Sequence, residues 1–174
     1  LIVEKGTKLH GQISRGELSK PDDDLMSEMY LAVDTLATKN GLLWYELSNW
    51  GEPARHNLVY WHSENWWGLG PGAHSHIDGT RWWNVKHPTA YMKRLNEFES
   101  PMQDREILSD REKREERLML QIRLREGIDL ATFTESQREK LNNFKEELEF
   151  TGDSVVLTRK GRLVADRIVR ELVI

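Results

Sequence analysis

The chain has 174 residues, a formal net charge of −4, seven tryptophans and no cysteine. That length accommodates one or two domains with an ordinary core, and the acidic balance argues against a protein that coats nucleic acid. Without cysteine the chain offers no disulfide, no thiolate nucleophile, no zinc ribbon and no ligand for an iron–sulfur cluster.

The opening LIVEKG reads as an apolar strand over residues 1–5 that begins without lead-in, which predicts a chain cut from something longer. A polar loop is expected through Lys20. The stretch KPDDDLMSEMYLAVDTLATKNG predicts a helix. Pro21 suits its start, Asp22, Asp23 and Asp24 favour the positive end of the helix dipole, and Gly41 suits the stop. Leu25, Met29, Val33 and Leu36 make one apolar stripe, expected to lie on a sheet. LLWYELSNW (42–50) then has strand composition, so residues 1–50 spell strand–helix–strand, the unit of a parallel sheet. No stretch reaches the roughly 18 apolar residues of a membrane span and no signal peptide is legible, which places the chain in the cytoplasm.

Residues 51–88 are dense in Gly, Pro, His, Asn and Trp and predict a long structured loop with short strands, of the kind that carries function. From Pro88 the chain turns charged and helical. PTAYMKRLNEF predicts a short helix, and SDREKREERLMLQIRLREG opens with a capping box, Ser109 and Glu112. A second box, Thr134 and Gln137, opens SQREKLNNFKEELE. Gly152-Asp153 between two apolar runs is a hairpin signal, and TRKGRLVADRIVRELVI predicts a terminal amphipathic helix. Helix, helix, hairpin, helix is a winged-helix-like order.

Most of the tryptophans read first as a packed core beneath the loop. The neighbours Trp66-Trp67 and Trp82-Trp83 cannot point the same way on a strand, so one of each pair is a candidate ligand-facing ring. GLGPGA (68–73) could bring backbone N–H groups close to a ligand, but it is not a dinucleotide fingerprint. His56, His62, His74 and His76 invite a metal reading, yet no carboxylate completes a known spacing, and one axial imidazole for a haem iron suits this aromatic stretch better than zinc. On the residues alone, a buried and hydrogen-bonded His56 is the simpler reading. Arg159, Lys160, Arg162, Arg167 and Arg170 raise a DNA-binding wing, which the mixed charge of 105–126 disfavours.

YELSNW, RHNLVYW, GLGPGAHS and LTRKGRLVADRIV, in this order, resemble the C-terminal half of the radical SAM proteins related to oxygen-independent coproporphyrinogen III oxidase, in the haem-chaperone (HemW-type) branch. The resemblance spans the whole chain. In that branch Y-E-[IL]-S-N, H-N-x-x-Y-W and G-x-G-x-G-A-H-S occur in succession, here at Tyr45–Asn49, His56–Trp61 and Gly68–Ser75.

The resemblance implies an α/β fold: residues 1–87 as the closing strands and helices of an incomplete radical SAM barrel, and residues 88–174 as a mainly helical, winged-helix-like domain. It implies that His56 is a haem-iron ligand with Asn57, Tyr60 and Trp61 in the pocket. It also implies that Gly70, Gly72, Ala73 and His74 neighbour S-adenosylmethionine, with Val3 and Glu4 on the preceding strand as further neighbours. The [4Fe-4S] cluster of the family rests on a C-x-x-x-C-x-x-C loop that this chain lacks, so radical chemistry by this chain alone is not expected. The implied function is non-covalent haem binding and delivery to client haemoproteins, with decarboxylation of coproporphyrinogen III as the enzymatic alternative. An incomplete barrel leaves an unpaired sheet edge through which the chain could dimerise.

Overall fold

The structure, a computed structural model, describes residues 3–173. The expected first strand falls partly on Leu1 and Ile2, outside the described residues. Val3 and Glu4 form no strand; they lead into a turn in which the Thr7 hydroxyl donates to the Glu4 carbonyl at 2.7 Å. Thr7 then caps a helix, α1 (Lys8–Ser14), by accepting the His10 N–H at 3.2 Å. Local capping thus makes a helix where composition had suggested a polar loop.

Helix α2 (Asp23–Lys39) follows the sequence reading, with Asp22 accepting the Leu25 N–H at 2.9 Å and two aspartates in the first turn. Its apolar stripe, however, lies on no sheet: Leu25, Met29, Val33 and Leu36 are 51–64% exposed. The segment expected to pair in parallel instead folds back on itself. Strands β1 (Trp44–Glu46) and β2 (Asn49–Trp50) are antiparallel, Trp44 opposite Trp50. A two-residue turn forces that geometry, since parallel pairing needs a long crossover. Buried Glu46 closes the turn by accepting from the Ser48 N–H at 3.3 Å and from the Asn49 side-chain amide. The parallel strand–helix–strand layer is therefore not formed.

The next region contains a helix the sequence did not announce, α3 (Arg55–Trp61). Seven residues are too few for an apolar period to show. Strands β3 (His74–Ile77) and β4 (Thr80–Asn84) form a hairpin whose two-residue turn puts Asp78 (φ 51°) and Gly79 (φ 84°) in the left-handed region. Helix α4 (Pro88–Asn96) forms as expected, with Pro88 in its first turn. Strand β5 (Met102–Ile107), in a stretch read as helical, pairs antiparallel with β4 and completes a sheet of order β3-β4-β5. Its charged sequence hides a strand because five of its six residues are exposed.

Beyond it, α5 (Asp110–Gln121) opens with the Ser109–Glu112 capping box, and the short strand β6 (Ile128–Asp129) follows. Helix α6 (Glu135–Leu141) opens with the Thr134–Gln137 box and ends earlier than expected, in one tight turn over residues 142–144. Strands β7 (Leu148–Thr151) and β8 (Ser154–Leu157) are the hairpin that Gly152-Asp153 signalled, with β8 central in the order β6-β8-β7. The expected single terminal helix is two, α7 (Arg159–Leu163) and α8 (Ala165–Val173), broken at Val164 (φ −123°). Gly161 lets α7 lie on β7's approach: a Cβ there would sit 1.9 Å from the Glu147 carbonyl oxygen.

The core sits among these later elements. Leu118, Ile122, Phe133, Phe144, Val155 and Ile168 are at most 3% exposed and pack in one cluster. Before Leu108, Val85 is the buried hydrophobic among the described residues. None of the seven tryptophans is buried, so they are not the core that their number suggested; they lie half-exposed along β1–β4, and Trp67 is 67% exposed.

Candidate ligand-binding site on helix α3 and the glycine loop

Residues four apart on a helix share a face, and α3 uses this twice. His56 and Tyr60 lie on one face, both exposed, with the Tyr60 hydroxyl and His56 Nε2 2.8 Å apart. Asn57 and Trp61 lie on another, half-buried, where the Asn57 amide donates to Tyr45 Oη at 3.3 Å. The four residues that the motif groups are thus divided between two faces.

The exposed pair has an aromatic backing. Trp66 meets Tyr60 edge-to-face at 5.0 Å, and its other neighbour is His76 at 4.9 Å. His76 is buried with both ring nitrogens engaged: Nδ1–H donates to the Glu64 carbonyl at 3.0 Å and Nε2 accepts the Gly79 N–H at 3.1 Å. That leaves it no donor atom for a metal. His62 sits 3.3 Å from Glu126, and His74 stacks on Trp83 with ring centres 5.7 Å apart. Among the described residues no three His, Asp or Glu side chains gather as a metal site. Of the four histidines, His56 is the one set beside an exposed phenol with an indole behind it, an arrangement suited to a flat ring that offers an iron to one axial donor.

The glycine loop is built by close approach. A Cβ on Gly68 would stand 2.0 Å from the His74 carbonyl oxygen, so glycine is required there, and the Gly68 N–H donates to Ser75 Oγ at 2.9 Å. Gly70, at φ 107°, donates to Tyr91 Oη at 3.2 Å; Gly72 donates to the Val85 carbonyl at 3.0 Å, and Ala73 to the Gly70 carbonyl at 3.3 Å. The buried Asn84 amide donates to the Gly70 carbonyl at 2.9 Å. These N–H groups are consumed inside the protein, so the loop presents side chains, with His74 exposed at its end. The adjacent tryptophans do point apart: Trp82 packs on Trp67 at 5.0 Å, while Trp83 faces His74.

Sequence reasoning missed a knot of buried polar groups. Asp34 of α2 accepts two hydrogen bonds from Arg162 of α7, at 2.8 and 3.1 Å, one from Trp50 Nε1 at 2.8 Å, and forms an ion pair with Arg159 at 2.7 Å. The Arg162 guanidinium also stacks 4.6 Å from the Trp44 ring centre. Burial raises the Tyr30 hydroxyl's pKa, against the pull of Arg162, and that hydroxyl donates to the Leu47 carbonyl at 2.8 Å. The available signal was a lone charge inside each of two apolar stretches, LAVDTLA and GRLVA. Neither His56 nor Tyr60 lines the two larger clefts: one of about 750 Å³ lined by Leu42, Trp44, Leu58 and Arg125, and one of about 630 Å³ between α5 and α8, lined by Met119 and Val169 among others.

Residues 108–164 match the HemN C-terminal domain family. A protein of Mycobacterium tuberculosis, "Heme chaperone HemW", is 44% identical to this chain over 177 aligned positions, covering 99% of the chain and 45% of that protein. The chain belongs to the HemW-type family of radical SAM proteins. The HemW protein of Bacillus subtilis is 30% identical over 97% of the chain and 48% of its own length. The fold is that of the Escherichia coli radical SAM enzyme coproporphyrinogen III oxidase (HemN), with a TM-score of 0.65 over 87% of this chain and 42% of that one, at 14% identity. This HemW-type chain therefore spans a little under half the length of the relatives it matches. Among its described residues no helix is long and apolar enough to cross a membrane.

Proposed function

We propose that this chain forms the haem-gripping part of a haem chaperone that passes haem to client haemoproteins. The observation that carries the reading is the exposed, mutually bonded His56–Tyr60 pair on α3, inside the H-N-x-x-Y-W segment and backed by Trp66. Haem is the cargo: its flat face suits the indole and phenol, and its iron needs one donor from the exposed edge of α3. The name of the M. tuberculosis relative supports the same reading.

In this reading residues 1–87 close a radical SAM barrel and residues 88–174 form a winged-helix-like domain, the order α5, α6, β7–β8, α7–α8 supporting the latter. The exposed stripe of α2 supports an incomplete layer, since four apolar side chains on one helix face need a partner surface. Gly70, Gly72, Ala73 and His74 would border S-adenosylmethionine with side chains, the loop's N–H groups being internally bonded; Val3 and Glu4 stand as further neighbours. The chain holds no cysteine and so does not fit a [4Fe-4S] cluster. The cluster's ligands belong to the remainder of a longer protein.

Titration of the 174-residue chain with ferric haem, followed by absorbance, tests this. One haem per chain should bind, and His56→Ala should weaken binding; an unchanged affinity removes α3 from the role. Conversion of coproporphyrinogen III to protoporphyrinogen by a protein restored to the relatives' length, supplied with reductant and S-adenosylmethionine, would favour the oxidase instead.

A further inference from the structure

Resting on that reading of the α3 face, we propose that the atom that takes the haem iron is Tyr60 Oη, and that His56 is its proton acceptor. Two donor atoms occupy this face, and they are bonded to each other. His56 Nε2 lies 2.8 Å from the Tyr60 hydroxyl. With the imidazole proton on Nδ1 the phenol O–H donates to Nε2 and uses its lone pair; with the proton on Nε2 that nitrogen donates to the phenol oxygen and has no lone pair to offer, so we assign the first arrangement to the pair that receives haem. For that nitrogen to ligate iron the hydrogen bond must break and the phenol must swing away. Its ring is held, however, by the edge-to-face contact with Trp66 at 5.0 Å, and Trp66 is in turn backed by buried His76.

Ligation through Tyr60 requires no such rearrangement. The O–H bond breaks, its proton moves along the existing hydrogen bond to Nε2, and the phenolate oxygen forms the bond to ferric iron. His56 becomes an imidazolium that still donates to the same oxygen. No electron is transferred and no other reactant is needed. The helical spacing holds both side chains through the exchange, and a charged partner strengthens the bond between them. A phenolate is a hard oxygen donor, of the kind suited to ferric rather than ferrous iron, so the pair grips oxidised haem and loosens on reduction. His56 in this arrangement is a positioning residue whose loss weakens binding without removing the ligand.

Ferric haem is added to the unmodified chain and to Tyr60→Phe, His56→Ala and His56→Gln, recording absorbance, resonance Raman in the phenolate-to-iron charge-transfer region, and affinity before and after dithionite. Circular dichroism checks each fold, and Tyr60→Phe keeps the ring that packs on Trp66. The expected result is a charge-transfer band and tyrosinate modes that vanish in Tyr60→Phe. Both should persist in the His56 variants, with affinity lower by about 10- to 100-fold, the usual cost of losing an outer partner of a metal ligand. Dithionite should weaken binding to the unmodified chain. If haem binds without the band, unaltered in Tyr60→Phe and abolished in His56→Ala, imidazole is the ligand: the Tyr60 assignment falls and the α3 site stands. If affinity and spectrum are unmoved in every variant, the α3 site itself is wrong.

Discussion

Arg162 and Asp34 meet across 128 residues of sequence in a buried, two-point ion pair, Nη1 to Oδ1 at 2.8 Å and Nη2 to Oδ2 at 3.1 Å. Both residues are at most 6% exposed. The pair joins α2 to α7, and Trp50 and Trp44 attach the β1–β2 hairpin to the same knot. Since nearly all buried apolar side chains lie from Leu108 onward, this polar knot is a principal tie between the early elements and the core.

Removing one partner of such a pair strands a buried charge. Asp34→Ala is expected to cost about 3–5 kcal/mol, read as a lower urea midpoint. A loss below about 1 kcal/mol would mean that α2 and the hairpin are not held by this contact in solution.

The same pair gives a pH signature. Burial raises the Asp34 carboxyl's pKa, but hydrogen bonds from Arg162 and Trp50 and the charges of Arg162 and Arg159 outweigh it, holding the group below its ordinary 3.8. A depressed carboxyl contributes stability that is present above its unfolded value and lost as pH falls through the folded one. The stability difference between the native chain and Asp34→Asn should therefore be full at neutral pH and shrink progressively below about pH 4. A difference that is constant from neutral pH down to pH 2 contradicts the ion pair.

Gly68 is the position where a single methyl group should be felt in the loop. An alanine Cβ would stand 2.0 Å from the His74 carbonyl oxygen and 3.0 Å from its nitrogen, backbone atoms that cannot rotate aside. Gly68→Ala is expected to cost about 1–3 kcal/mol through overpacking, read as a lower urea midpoint. A variant as stable as the parent would show that β3 and the loop do not approach so closely.

What could be read in advance was what is local. Both capping boxes, the Gly152-Asp153 hairpin and the aspartate-rich start of α2 are fixed by residues within four positions of one another, and each appears as read. Long-range partners were not legible. The parallel layer failed because nothing in LLWYELSNW distinguishes a full strand from two short ones separated by a turn, and buried Glu46 decided it. β5 escaped notice because a strand exposed over most of its length carries helix-like charges. The site residues were named from the motif, but their division into two faces followed only once α3 proved helical.

The α2 stripe offers a test of a different kind, because here exposure itself is the claim. Leu25, Met29, Val33 and Leu36 protrude into solvent in this chain. Changing an exposed side chain alters stability by no more than about 0.5 kcal/mol, so Met29→Lys and Val33→Glu should leave the unfolding midpoint of the 174-residue chain nearly unchanged. Contiguous exposed apolar surface also drives association, so the same two changes should shift sedimentation toward the monomer at high protein concentration. In a protein extended to the length of the M. tuberculosis relative, where the added length is proposed to cover the stripe, the identical substitutions should lower stability by about 2 kcal/mol or more, the cost of placing charges against an apolar surface. Equal effects in the short and long chains would show that the stripe faces water in both, and that the added length packs elsewhere.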